Sequence, residues 1–265
     1  RGMCLTCHAP HGNANAGMLK REGGAMCAVC HDYKKPAIVA SHPGMTLATT
    51  NCVTCHDPHV MGKNRQHLIK PFPHLPFARG ECTNCHTSKG AKTLVASGSE
   101  LCFKCHEAVR GFTKKPSQHA PMSSGMACLS CHEPHAGAAT NLLKKAGDQL
   151  CFTCHDRALM AGKVKHAALD QGCTACHAPH GGDGPRLITA KDEAELCRTC
   201  HTDLAKHYHP TQSTRPDPRT GQAMRCTSCH RPHTAELPGL LTHDPKRDLC
   251  IQCHDPSMAP PPKKP

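Results

Sequence analysis

The chemistry of this chain is carried by cysteine and histidine at fixed spacing. All 22 cysteines of the 265 residues fall in pairs separated by two residues, and each pair is followed at once by histidine. The pairs are Cys4 and Cys7, Cys27 and Cys30, Cys52 and Cys55, Cys82 and Cys85, Cys102 and Cys105, Cys128 and Cys131, Cys151 and Cys154, Cys173 and Cys176, Cys197 and Cys200, Cys226 and Cys229, and Cys250 and Cys253. The histidines are His8, His31, His56, His86, His106, His132, His155, His177, His201, His230 and His254. Two thiols so placed form thioethers to the vinyl groups of one haem, and the adjacent imidazole reaches its iron. A Cys-x-x-Cys pair is also half a zinc site, and a cysteine-rich secreted chain usually carries disulfides. Neither alternative requires the same two-residue gap and following histidine at all eleven pairs, so eleven covalently attached haems c are expected.

Five motifs continue as His-x-Pro-His: CLTCHAPH at 4, CVTCHDPH at 52, CLSCHEPH at 128, CTACHAPH at 173 and CTSCHRPH at 226. His11 is at most about 10 Å of extended chain from His8. To reach the other face of the same iron the chain would have to pass around the edge of a covalently held porphyrin, and Pro10 restricts the backbone further. His11, His59, His135, His180 and His233 are therefore expected to ligate a different haem from the one their motif carries. A three-residue tether between two iron ligands brings two haems close together, as electron tunnelling requires.

Of 24 histidines, thirteen remain after the eleven proximal ones. Five are these connectors. His42, His74, His119, His166 and His209 each stand shortly before a motif, often beside proline, and His243 precedes the last. These make eleven distal candidates for eleven irons and predict bis-histidine ligation of most haems. His67 and His207 are left over and are candidates for ligation between subunits. Methionine is the competing sixth ligand. The ten methionines do not recur with the motifs, so they are expected mainly to pack softly against porphyrin.

The elements that position these ligands must be short. Aromatic residues make up 3% of the chain, Trp is absent, and 38% of residues are hydrophobic even with cysteine counted. That is little apolar material for an ordinary core, so the haems themselves are expected to be the core and the apo-chain to be largely unfolded. With 23 Pro and 21 Gly, no segment offers long helical periodicity or an alternating strand pattern. The expected fold is mostly irregular, with short helices entering the cysteines, little or no sheet, and a quasi-linear array of haems.

The formal charge of +12 would suggest nucleic acid or an anionic surface as partner. Eleven oxidised haems, each with two propionates and about one net positive charge at the iron, return about −11. The basic balance is thus explained by haem, and no nucleic acid is expected. No apolar run approaches the length of a membrane helix. Haem is attached to such motifs outside the cytoplasm, so an exported chain whose leader is removed ahead of Arg1 is expected.

Five motifs are preceded by Leu or Met and a short apolar stretch: those at 27, 102, 151, 197 and 250. These are second members of pairs, and the others are first members. Di-haem units then run over about 1–41, 74–118, 119–165, 166–208 and 209–254, with a single extra haem unit at 42–73 and a Pro-rich tail at 255–265. The motif at 82, CTNCHTSKG, is a first member without Pro-His. On these residues the chain resembles multihaem c-type cytochromes of the doubled Cys-x-x-Cys-His kind, over 4 to 254. It is similar in this respect to subunits of extracellular cytochrome filaments and to porin-associated cytochromes.

That resemblance implies electron transfer. A six-coordinate haem leaves no open position for substrate, and bis-histidine ligation gives low potentials. A multihaem oxidoreductase is the other class, but such enzymes typically show a Cys-x-x-Cys-Lys or an unligated distal position, and all eleven motifs here end in histidine. Three settings are compatible with a carrier: a secreted filament, or nanowire, made of copies of the chain; a conduit in an outer-membrane porin; and a periplasmic shuttle. The partners expected are other copies, other multihaem cytochromes or a porin, and an extracellular electron acceptor.

Overall fold

The computed structural model describes residues 4–59, 69–123, 127–203 and 216–258. His67, His207, His209 and the end of the Pro-rich tail lie outside the described residues. Among those described, the longest helices have six residues: α3, Pro36–Ser41, and α8, Glu193–Arg198. Each starts for a local reason. Pro36 fits the first turn, where its missing N–H costs nothing. The carboxylate of Asp192 accepts the Glu195 N–H at 2.8 Å and so caps α8.

Helical turns are spent on the motifs. In every one, the N–H of the proximal histidine donates to the carbonyl of the first cysteine at 2.9–3.0 Å. One closed turn places residues three apart on one face, so both thiols of a pair look the same way. The second members at Cys102, Cys151 and Cys197 enter this turn from short α-helices, Glu100–Phe103, Asp148–Cys151 and α8. Most first members use a 3₁₀ turn instead, as at Cys52–Thr54, Cys82–Asn84 and Cys226–Ser228.

Two compact units are formed. One comprises residues 1–106 and 124–146, the other 107–123 and 147–265. In the first, strand β1, Phe72–Pro73, pairs antiparallel with β2, Ala136–Gly137. In the second, β3, Val164–Lys165, pairs antiparallel with β4, Thr234–Ala235. The sequence led to the expectation of mostly irregular structure with short helices and little sheet, and the fold agrees. Among the described residues the buried apolar ones are few and mostly small: Phe103, Ala127, Ala136, Ala139, Ile188 and Ala235.

Candidate haem centres

A recurring clip holds the proximal histidines of first members. After His8, His132, His177 and His230 the chain loops out and returns as an isolated bridge eleven residues on, at Leu19, Leu143, Ile188 and Leu241. In each loop the backbone turns through two successive residues with positive φ: Gly17 and Met18, Asn141 and Leu142, Arg186 and Leu187, Gly239 and Leu240. That conformation is unfavourable for a non-glycine residue and is kept where surrounding contacts fix it. Here it aims one carbonyl at a ring. The Nδ1 atoms of His8, His132, His177 and His230 lie 2.8, 2.7, 3.0 and 2.8 Å from the carbonyl oxygens of Gly17, Asn141, Arg186 and Gly239. An Nδ1–H bonded to a carbonyl fixes the tautomer and leaves Nε2 as the nitrogen that a metal could take, made a stronger donor by that bond.

Distal candidates are held by the same logic. His74, His119 and His166 place Nδ1 at 2.9, 3.0 and 2.9 Å from the carbonyl oxygens of Pro134, Pro179 and Pro232. Those prolines are the third residues of the connectors His132–His135, His177–His180 and His230–His233. Connector proline thus serves as an acceptor as well as a restraint, a role that sequence reading missed. His42 instead points Nδ1 at the Ile38 carbonyl, 2.8 Å away in α3.

The histidines face one another in pairs. His8 faces His59, His56 faces His42, His86 faces His135 and His106 faces His74, with ring centres 5.8–6.1 Å apart. In the second unit His155 faces His119, His177 faces His233 and His201 faces His166 at 5.9–6.1 Å. Each pair joins a proximal histidine to a histidine from elsewhere in the chain. Three of the five connectors, His59, His135 and His233, face a proximal histidine of another motif. His180 lies against Phe112 at 5.8 Å. His11 is exposed and faces none of the described histidines, and His243 sits with Nδ1 3.1 Å from the Thr242 hydroxyl. Burial foremost, then the facing imidazole, lowers the pKa of His135 and of His233 and so favours their neutral form. Neutral imidazole is the form that binds a metal.

The thiols also meet across motifs. Burial first, then the thiol of Cys52, pushes Cys27 up to about 11. Burial and then Cys128 do the same to Cys102. In Cys173, pushed up to about 12, burial leads, followed by Asp148 and Cys151. The first cysteine of a second member therefore lies beside the first cysteine of the next first member. Sequence spacing alone carried no sign of this.

These residues fit haem c. Two metal–imidazole bonds of about 2 Å each, plus about 1 Å from each ring nitrogen to its ring centre, span about 6 Å, the separation seen in all seven pairs. The carbonyl-bonded Nδ1 atoms leave the opposite nitrogens for iron. Apolar side chains such as Leu5 and Leu75 stand more than half exposed. Apolar macrocycles are what such a surface lacks.

Fold and site together define a multihaem c-type cytochrome, a polypeptide wrapped around covalently held haem. The doubled CXXCH motif family matches residues 1–36, 74–111, 119–160, 166–206 and 218–259, and the chain belongs to it. A search of curated proteins finds no match. Membership means electron transfer by covalently bound haem c at the paired motifs. None of the helices among the described residues is long and apolar enough to cross a membrane.

Proposed function

We propose that the chain is an electron conduit of eleven haems c, most of them bis-histidine, working outside the cell as the subunit of a filament. The observation that carries the conduit is the tethering of facing pairs. His56 faces His42 while His59, three residues on, faces His8. The connector His132–His135 likewise ends on His86, and His230–His233 ends on His177. When bound, the haems supply one-electron chemistry, each iron passing between ferric and ferrous. The chain's part would be to hold each iron between two facing histidines, which would leave no position for substrate, and to keep successive ligands three residues apart.

His11 supports the filament setting. It is the first connector, it is exposed, and among the described residues it faces no proximal histidine, so it is available to an iron outside this set. His31 likewise faces no second histidine among the described residues. Mass spectrometry of the holoprotein should show eleven haems, and electron microscopy of the protein as released by its host should show continuous filaments. Fewer haems would remove the count. Discrete particles would move the chain to a porin conduit or a periplasmic shuttle, and a substrate-dependent turnover at an open haem would make it an oxidoreductase.

A further inference from the structure

The motif at 82 breaks the clip rule at one atom. Among the described residues, Nδ1 of His86 is the buried side-chain nitrogen that has no hydrogen-bond partner. The cause lies in the loop. His86 bridges to Leu94, eight residues on, where His8, His132, His177 and His230 bridge at eleven and His56 to Ile69 at thirteen. The backbone part of the clip survives the shortening: the Thr87 N–H donates to the Thr93 carbonyl at 3.1 Å and the Val95 N–H to the Cys85 carbonyl at 2.9 Å. The pair of positive-φ residues that would aim a carbonyl at the ring is gone, since only Gly90 has positive φ in this loop. Gly90 instead packs backbone to backbone on Gly44, so closely that a Cβ at either position would overlap the other's neighbourhood. The short loop is therefore a fitted element.

An imidazole whose Nδ1–H is bonded to a carbonyl donates more electron density and favours ferric iron. His8, His132, His177 and His230 have that bond. His31, His106, His155, His201 and His254 are exposed and can give the proton to water, and His56 is not without a partner. His86 does neither. We propose that the haem attached at Cys82 and Cys85 is the most readily reduced of the chain, because its proximal ligand is left without an acceptor. An electron entering the array then settles there, with one electron taken up and one iron going from ferric to ferrous. This rests on the reading above that His86 is the proximal ligand of a haem, and its partner across the iron is His135.

The test is a mediated spectroelectrochemical titration of the full holoprotein, with dithionite supplying the electrons. Cys82→Ala with Cys85→Ala should lower the mass by one haem and remove the one-electron component of highest potential. Unchanged mass would show that this motif carries no haem and would overturn the assignment beneath the proposal. Loss of one haem with the highest component intact would overturn the proposal alone. Should that variant yield no folded protein, residues 87–93 are replaced by the ten-residue loop 178–187 carrying His180→Ala, which restores the carbonyl acceptor and leaves the coordination unaltered. The highest component should then move to lower potential, and the exchangeable Nδ1 proton of His86 should become protected in NMR. A highest component that stays in place would defeat the proposal.

Discussion

The ring of His59 lies 5.8 Å from that of His8, with the two planes inclined by 20°. Fifty-one residues separate them, and three residues before His59 stands His56, which faces His42. One connector thereby joins two ligand pairs. His59→Met should keep that iron six-coordinate while raising its potential, because thioether in place of imidazole favours the ferrous state. One one-electron component of eleven should move upward in a potentiometric titration. His59→Ala should instead convert one haem to high spin, visible by electron paramagnetic resonance. A variant spectrum identical to the parent would remove His59 from the ligand set.

Much of this was legible in the sequence. The thiol pairs, the adjacent histidines and the tether argument each follow from covalent reach, which spacing records directly. The partner of each distal histidine was not legible. His42 serves the nearest following motif at His56, whereas His74, His119 and His166 pass over the nearest motif to face His106, His155 and His201. That choice is made by bonds between the ring Nδ1 and the carbonyls of connector prolines about 60 residues away, such as His74 to Pro134. Nor could the clip be read, since Met18, Leu142, Leu187 and Leu240 are not residues that usually mark positive φ.

The clip yields its own prediction at Arg186, whose φ is 57° and whose side chain is 80% exposed. Its side chain makes little contact, so the residue mainly contributes conformational cost, and its approach to the largely buried Glu193 carboxylate, at 3.9 Å, is long and of small worth. Arg186→Val should destabilise by about 1–2 kcal/mol, because a β-branched residue resists this conformation. Arg186→Gly should be neutral within about 1 kcal/mol, since the relief of strain offsets the added freedom of the unfolded chain. Denaturant unfolding of the two holoproteins, followed by the haem absorbance, checks the order. Equal stabilities would mean that the turn is not held at positive φ.

Asp217 is 2% exposed and holds Arg219 by two bonds, Nε to Oδ1 at 2.9 Å and Nη2 to Oδ2 at 2.6 Å. The same guanidinium donates to the Ser228 carbonyl at 2.7 Å and so ties this turn to the motif at 226. Hydrogen bonds from Arg219 hold the Asp217 carboxyl well below the usual carboxylate range, against the opposing effect of burial. A depressed folded pKa means stability that is complete above the ordinary carboxylate pKa and lost as pH falls through and below it. Asp217→Asn should cost about 3 kcal/mol at neutral pH by leaving the arginine without its charge partner. The variant should also lose the parent's added sensitivity to acid below about pH 4. Acid titrations monitored at the haem bands compare the two, and parallel curves would show that the pair contributes nothing.

The position of His11 carries the last expectation. His59, His135 and His233 each meet a proximal histidine of another motif. His11 shares their His-x-Pro-His sequence and their tether of three residues, yet it stands exposed with no histidine facing it among the described residues. A connector unmatched among the described residues has a use if an iron comes to it. His11→Ala should therefore leave the haem count, the visible spectrum of the separated subunit and its stability within about 0.5 kcal/mol of the parent, as for an ordinary surface substitution. It should shorten or abolish filaments in electron micrographs and convert one haem per subunit to high spin within whatever polymer remains. If the substitution gives the isolated monomer a high-spin signal that the parent monomer lacks, His11 ligates an iron of its own chain and the case for end-to-end assembly through it is lost.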